Sequence, residues 1–287
     1  MKIAFVIDSS VGLTQENAKK NDLYFLPLYI NIDDKEYADG IDLQNEEVFN
    51  LINKNSKIST SATPLGQAFK LIEKLENEYD KIIIYPISSK LSSQYSNLKT
   101  AFKDNRKVYV VKSNKLTLLT LLDILRFKKN IEHNMEFNQA LEMLENNVEG
   151  ELILVPKYND YLVKGGRLSP SAATIAKLLK IVPIIELKNG ALEKRGKGRI
   201  FNKSLVNIYN EIYNKFPTYK TIVLHSNNNE VNEIVDKFKQ ISKNKIEVFS
   251  IPNVIAVHSG PEAVAFSVIN ITDNEIKEIK KILCLQK

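Results

Sequence analysis

The sequence predicts an α/β protein of two domains, a parallel-sheet domain over residues 1–148 and a mixed α/β domain over residues 149–287. Three observations carry that expectation. In the first half, short apolar runs of strand length alternate with stretches whose apolar residues recur at helical spacing, the pattern of a parallel sheet covered on both faces. After Glu149-Gly150 the order changes to a hairpin signal and several closely following strands, which suits a mixed sheet. A chain of 287 residues with 44% hydrophobic and 26% charged residues is large enough for two ordinary cores and has the composition of a soluble globular protein.

In chain order, Lys2–Ile7 reads as a buried strand with Asp8-Ser9-Ser10 at its carboxyl end, and Thr14–Asn21 as a short helix. Tyr24–Ile32 is a second strand-like run that Pro27 makes an edge or bulged strand. The acidic segment Asp33–Asp42 is no calcium loop, because aligning Gly40 with that loop's glycine puts Lys35 and Tyr37 where carboxylates belong. Asn45–Asn53 and Leu65–Tyr79 are expected helices, and Ile58–Pro64 between them a hydroxyl-rich loop with Pro64 near the next helix's first turn. Lys81–Pro86 and Lys107–Val111 are strands; Lys115–Lys128 and Met135–Asn147 are helices.

In the second half Leu152–Val155 is a strand, and a helix with small inner residues follows Pro170. Lys188-Asn189-Gly190 joins the strands Val182–Leu187 and Ala191–Lys194 as a hairpin. Phe201–Phe216 and Glu230–Ile241 are helices flanking a strand at Thr221–Leu224. Lys245–Ile251, Val254–Val257 and Ala263–Ile269 are expected strands, and Asp273–Leu283 the last helix.

Bulk properties narrow the function classes. Met1-Lys2 leads at once into Ile3–Ile7, an apolar run too short for a signal peptide, and Leu116–Leu125 is broken by Thr117, Thr120 and Asp123 and cannot span a bilayer. The single cysteine, Cys284, leaves no internal disulfide and no multi-cysteine metal site; it is expected to be apolar filler in a reducing cytoplasm. The net charge of +6 is spread thinly, with no basic stripe interleaved with aromatics, so no nucleic-acid partner is expected. Transient contact with an anionic membrane surface stays open beside the plainer reading of solvated lysines.

The most informative stretch is Ile87–Asn97, at a strand-to-helix junction. Four of the six residues Ser88–Ser93 carry hydroxyls, and unpaired backbone N–H groups at a helix start add further donors. These serines either cap the helix or bind an anion. In a parallel sheet, ligands gather at the carboxyl ends of strands. Asp8-Ser9-Ser10 and Ser88–Ser93 both lie on that edge, and Thr60-Ser61 is placed to join them.

There is no Walker loop, dinucleotide fingerprint, nucleophile elbow or His-Glu-x-x-His motif. The three histidines make a zinc cage an unsuitable reading. His133 lies among polar helix residues and His225 before a turn. His258, at the end of an apolar run and before Ser259-Gly260-Pro261, reads as a structural histidine or, with its ring fixed by the Gly260-Pro261 turn, as one facing a cleft. Arg167 follows Gly165-Gly166, where backbone of positive φ lets a ligand approach; its guanidinium suits a carboxylate or phosphate, or an internal carboxylate.

Together Asp8-Ser9-Ser10, Thr60-Ser61, Leu91-Ser92, Asp160–Arg167 and His258-Ser259-Gly260-Pro261 resemble the DegV family of bacterial proteins, in order and spacing over essentially the whole chain. Tyr161-Leu-Val-Lys-Gly-Gly-Arg167 is the most specific of these motifs. The resemblance implies a two-domain fold holding a long-chain fatty acid in its cleft, with no other cofactor. It also implies the role of binding subunit to a separate fatty acid kinase, which phosphorylates the acyl carboxylate. Carried over, it implies that Thr60 and Ser92 hold the carboxylate, with Ser61 and the backbone N–H of Ser93 nearby, and Arg167 and His258 at the head group. Ile175, Leu178, Leu179, Ile181 and Ile184 read equally as an apolar lining for the tail or as core.

The chain departs from the family pattern in three places. Leu91-Ser92-Ser93-Gln94-Tyr95 stands for the usual Leu-Ser-Gly-Thr-Tyr, and Thr60-Ser61-Ala62-Thr63-Pro64 for Thr-Ser-Gln-Pro-Ser. Glu262 replaces the final glycine after Gly260-Pro261 and adds a negative charge that calls for a lysine or Arg167 as partner. The rival from another class is a serine-dependent hydrolase or phosphotransferase with His258 as base. No aspartate in sequence obviously orients that histidine, so a non-enzymatic binder is the leading expectation.

Overall fold

The computed structural model describes residues 1–44, 46–53, 55–177 and 180–284. In chain order the elements of the first half are β1 (Ile3–Asp8), α1 (Gln15–Lys20), β2 (Tyr24–Leu26), β3 (Tyr29–Ile32), β4 (Lys35–Ala38), β5 (Ile58–Ser61), α2 (Leu65–Glu76), β6 (Lys81–Tyr85), α3 (Gln94–Ala101), β7 (Val108–Val110), α4 (Leu118–Glu132) and α5 (Phe137–Met143). The second half continues with β8 (Gly150–Val155), α6 (Asn159–Gly165), α7 (Pro170–Ala176), β9 (Val182–Lys188), β10 (Ala191–Gly198), α8 (Phe201–Lys215), β11 (Lys220–His225), α9 (Val231–Ser242), β12 (Glu247–Ser250), α10 (Asn253–Ser259), β13 (Val264–Ile269) and α11 (Asp273–Cys284).

The first sheet runs β2-β1-β6-β7, all parallel. Its central strands are apolar throughout because alternate residues leave opposite faces and both faces are covered. Ala4, Val6, Ile82 and Ile84 pack with Ala68, Ile72 and Leu75 of α2 and Leu98 of α3. Phe5, Ile7, Ile83 and Tyr85 enter a larger cluster with α4. The six-stranded sheet of the second half runs β10-β9-β8-β13-β11-β12, antiparallel except for β11–β12. One face is covered by α8 and α9, where Tyr209 stacks on Phe238 at 3.9 Å and both meet the edge or face of Phe266. Leu152, Leu154, Ile185, Ile222 and Leu224 on the other face share the cluster that contains Phe5 and Ile7, so one apolar core crosses both halves.

Four local expectations are corrected. The run Tyr24–Ile32 divides at Pro27, which has no N–H to donate: β2 edges the parallel sheet, while β3 becomes the centre of a separate antiparallel sheet, β4-β3-β5. Ile58–Ser61 is a strand of that sheet rather than a loop, with Ile30 opposite Thr60; its exposed serines alternate with half-buried Ile58 and Thr60. In Asn45–Asn53 only Val48–Asn50 forms a short 3-10 turn, as asparagine side chains compete for backbone bonds; Asn45 lies outside the described residues. Val254–Val257 is helical, inside α10. A four-residue apolar run does not distinguish strand from buried helix, and Pro252 directly before Asn253 favours a helix start.

The hairpin at Asn189-Gly190 forms as its sequence indicates, with φ of 49° and 82°, and β10 runs on to Gly198 through an irregularity between Lys194 and Gly196. The side chain of Cys284 lies outside what is described.

Lys115 is buried, and its Nζ donates to Asp123 at 2.7 Å and to the carbonyls of Leu144 and Asn146 at 3.1 and 2.5 Å. The Tyr85 hydroxyl donates to the same carboxylate at 2.5 Å, so one ion pair ties β6, α4 and the end of α5 together. Removing one partner strands the other without water. Asp123→Ala is expected to lower stability by about 3–5 kcal/mol, measured by urea denaturation; a loss below about 1 kcal/mol would contradict this role.

Candidate functional site

The six residues singled out in the sequence come from four separate segments and line one small cavity of about 100 Å³. Thr60 and Ser61 reach it from the end of β5, and Ser92 and Ser93 from the loop after β6. Arg167 arrives just beyond α6 and His258 on α10. Leu28, Ile87, Leu91, Leu192, Val254 and Ile255 complete the walls. These apolar residues carry no sequence signal that separates them from core positions.

Each polar side chain is held by local chemistry. The Thr60 hydroxyl and the His258 Nε2 are hydrogen-bonded at 2.8 Å. Ser92 accepts from the Gln94 N–H at 3.1 Å through its hydroxyl, as a helix-start residue does. Buried Gln94, which stands where the family usually has threonine, accepts from Thr63 N–H and donates to the Thr63 hydroxyl at 2.9 and 2.8 Å. It thereby fastens this loop to the end of β5. Ser93 is exposed and precedes α3 without a side-chain cap bond.

Arg167 is placed by Gly166, which ends α6 with φ of 66°. Gly165, by contrast, is helical. A Cβ there would lie 2.6 Å from the His258 ring, so its absence lets α6 and α10 approach. One Arg167 nitrogen donates to the Gly165 carbonyl at 2.7 Å, and among the described residues the guanidinium forms no ion pair. Burial, reinforced by the Arg167 charge, lowers the His258 pKa to about 4, so the ring is neutral at pH 7. Glu262 lies beside Lys157 at 3.8 Å, not beside Arg167.

Asp8-Ser9-Ser10 does not line this cavity. The Asp8 carboxylate accepts from Ile87 N–H at 2.7 Å and from the Ser10 N–H and hydroxyl at 3.1 and 2.5 Å, while Ser9 accepts from Leu28 N–H at 3.2 Å. All three residues are buried and brace the segments that do reach the cavity. Ser88 is likewise internal, donating to the Gly190 carbonyl at 2.7 Å.

A second cavity of about 610 Å³ adjoins the first at His258, which lines both. Ile58, Tyr158, Tyr161, Val257 and Pro261 form much of its wall, and its volume falls within the range of small-molecule sites. The expected tail lining is placed elsewhere. Ile175 is buried in α7, Ile184 packs in the core beneath α8, and Ile181 lines a groove on the other side of α6. Leu178 and Leu179 lie outside the described residues. His225 accepts from Asn228 N–H at 3.0 Å in a turn, and exposed His133 bonds the Lys129 carbonyl. Among the described residues no three His, Cys, Asp or Glu side chains are grouped as metal ligands, and no helix is long and apolar enough to cross a membrane.

The family model described as "Uncharacterised protein, DegV family" matches residues 2–270. The chain belongs to the DegV family. A DegV domain-containing protein of Mycoplasmopsis pulmonis is 43% identical over 97% of this chain and 99% of that protein. Among solved structures, a fatty acid binding DegV family protein from Streptococcus agalactiae superposes with a TM-score of 0.81 at 23% identity, covering 95% of this chain and all of that one. A stearic acid-binding protein from Eubacterium ventriosum gives a TM-score of 0.79 at 22% identity, covering 93% and 98%. These likenesses show that the DegV fold extends over nearly the whole chain.

The environment of His258 is directly measurable. Its ring is expected to titrate near pH 4 by NMR, and a midpoint near 6.5 would mean that the ring is solvated. Because the folded state binds this proton less tightly than the unfolded state, the ring's contribution to stability is full above pH 6.5. It is lost as the pH falls toward 4.

Proposed function

We propose that this DegV-family protein binds a long-chain fatty acid, with the carboxylate at Thr60, Ser61, Ser92, Ser93, Arg167 and His258 and the tail running past His258 into the larger cavity. The observation that carries the reading is Arg167: a guanidinium with no carboxylate partner among the described residues, beside four hydroxyl residues and a neutral imidazole, next to a larger cavity whose wall is mainly apolar. Hydroxyls and one arginine suit a carboxylate and also accommodate a phosphate on the same atom. Burying a C16 tail supplies roughly 0.8 kcal/mol per CH₂, on the order of 10 kcal/mol before the costs of association. The fatty acids named for the S. agalactiae and E. ventriosum proteins support the same ligand class.

In this reading the protein is a non-catalytic subunit that works in the cytoplasm and presents the acyl carboxylate to a separate fatty acid kinase. The absence of a Walker loop from the sequence supports that division of labour. Residues 1–148 and 149–287 act as two lobes meeting at the ligand. The groove bounded by Lys157, Lys164, Lys177, Lys180 and Arg199, beside exposed Tyr158 and Ile200, supports transient contact with an anionic membrane during exchange. Against the hydrolase alternative, Gly165 rather than a carboxylate lies against the His258 Nδ1.

Protein purified without added lipid is expected to release a fatty acid of roughly C14 to C18 length on extraction. A protein that yields none and also fails to bind a labelled C16 acid would overturn the lipid reading. Thr60→Ala and Ser92→Ala are each expected to weaken binding of the acid by about 1.5–3 kcal/mol, roughly ten- to a hundredfold, and its methyl ester far less. Equal losses for acid and ester would remove these residues from the head-group role.

A further inference from the structure

Asp39 and Asp8 are both buried, with 2% and 1% of their surface exposed, and neither forms an ion pair with a cation among the described residues. Both neighbour Ser9: Asp8 precedes it in sequence and Asp39 hydrogen-bonds it. Asp39 follows β4 in the first half of the chain, yet its bonds reach the second. Its Oδ1 accepts from Asn253 Nδ2 and its Oδ2 from Val254 N–H, each at 3.3 Å, and it also bonds Ser9. Asn253 donates in addition to the Gln44 carbonyl at 2.6 Å and accepts from Glu46 N–H at 3.0 Å. Asp8 meanwhile holds Ile87 N–H, at the start of the serine loop. One buried carboxylate therefore anchors the first turn of α10, whose Val254, Ile255 and His258 wall the cavity; the other anchors the opposite wall.

We propose that Asp39 is a positioning residue whose proton occupancy, coupled to that of Asp8, sets how firmly α10 closes the head-group cavity. The inference rests on the fatty-acid reading for its ligand but not for its geometry. The groups facing Asp39 are Asp8 from β1, Ser9 from the turn after it, and Asn253 with the Val254 N–H from α10; only Asp8 among them is titratable. Burial raises Asp39 to about 7 and Asp8 to about 6. Hydrogen bonds oppose the rise at both, and the Asp8 charge adds to it at Asp39. With a proton on either carboxyl the pair carries one charge. With both ionised, the Asp8 charge opposes that of Asp39, neither has a cation partner among the described residues, and opening α10 to solvent relieves the buried Asp39 charge.

The sign follows from linkage. A carboxyl whose pKa is raised on folding stabilises the fold fully below its unfolded value of 3.8, and that contribution is lost as the pH climbs to about 7. The His258 ring, with its value of about 4, is already neutral over the upper part of this interval.

The test compares the full-length protein with Asp39→Asn from about pH 5.5 to about pH 8.5. The first readout is hydrogen exchange of residues 253–259, corrected for intrinsic rates. The second is the dissociation rate of a fluorescent C16 fatty acid. For the natural chain, protection of 253–259 is expected to fall and ligand release to quicken at least about threefold across the interval, while Asp39→Asn flattens both profiles. Asn253→Ala removes a donor that favours ionised Asp39. It is expected to move the midpoint to higher pH, an effect that loss of packing alone would not produce, and it serves if Asp39→Asn does not fold. A flat exchange profile in the natural chain, or an unchanged slope in Asp39→Asn, overturns the proposal. Failure of the natural chain to bind the C16 acid overturns the ligand reading instead, and hydrogen exchange still decides the role of the pair.

Discussion

Asn253 sits at the start of α10 with three bonds to the first half of the chain: to Asp39, to the Gln44 carbonyl and from the Glu46 N–H. Much else depends on that attachment. A helix that belongs by sequence to the second half is thereby laid against the carboxyl edge of the first sheet, where an open α/β protein would expose a ligand crevice. The edge is consequently filled by protein. Asp8, Ser9 and Ser88 spend their hydrogen-bonding capacity on Ile87, Leu28 and Gly190, and Ser10 on Asp8, so the cavity at His258 is lined by the next ring of residues.

This displacement explains the polarity of the cavity. Thr60, Ser61, Ser92 and Ser93 are half-buried or exposed, so their hydroxyls retain capacity that internal partners have taken from the serines behind them. Arg167, the cation that lines this cavity among the described residues, is projected by a left-handed Gly166 and forms no ion pair with a carboxylate among them. His258 is kept neutral by burial and by Arg167, and therefore meets an anion as a hydrogen-bonding ring and not as a second charge. In the proposed reading, a site so arranged would select an anionic head group by donors and leave affinity to an apolar tail.

The same packing limits which substitutions the framework tolerates. Gly165 admits the His258 ring and Gly260, at φ of 84°, admits the Tyr161 ring, so the Tyr161–Arg167 and His258–Pro261 motifs are two sides of one contact. Gln94 shows compensation at a departure from the family pattern, since its amide closes two bonds to Thr63 and holds the serine loop to β5. Glu262 is drawn to Lys157 and away from the anion site.

The alternation of strands and helices, the parallel first sheet, the Asn189-Gly190 hairpin and the candidate polar residues are legible in the chain without its fold. Each of these rests on local chemistry: the period of apolar residues, glycine's access to positive φ, and clusters of hydroxyls beside a helix start. Val254–Val257 escaped that reasoning because four apolar residues have no resolvable period, and Tyr24–Ile32 because a proline inside one apolar run can either bulge a strand or divide it between two sheets. Which serines line the cavity at His258 and which are braces depends on the packing of distant segments. Asp8-Ser9-Ser10 and Thr60-Ser61 read alike as polar strand ends, and what separates them is the position of α10, fixed by contacts more than 200 residues apart in sequence. Neighbours of that kind come from folding, and no local pattern encodes them.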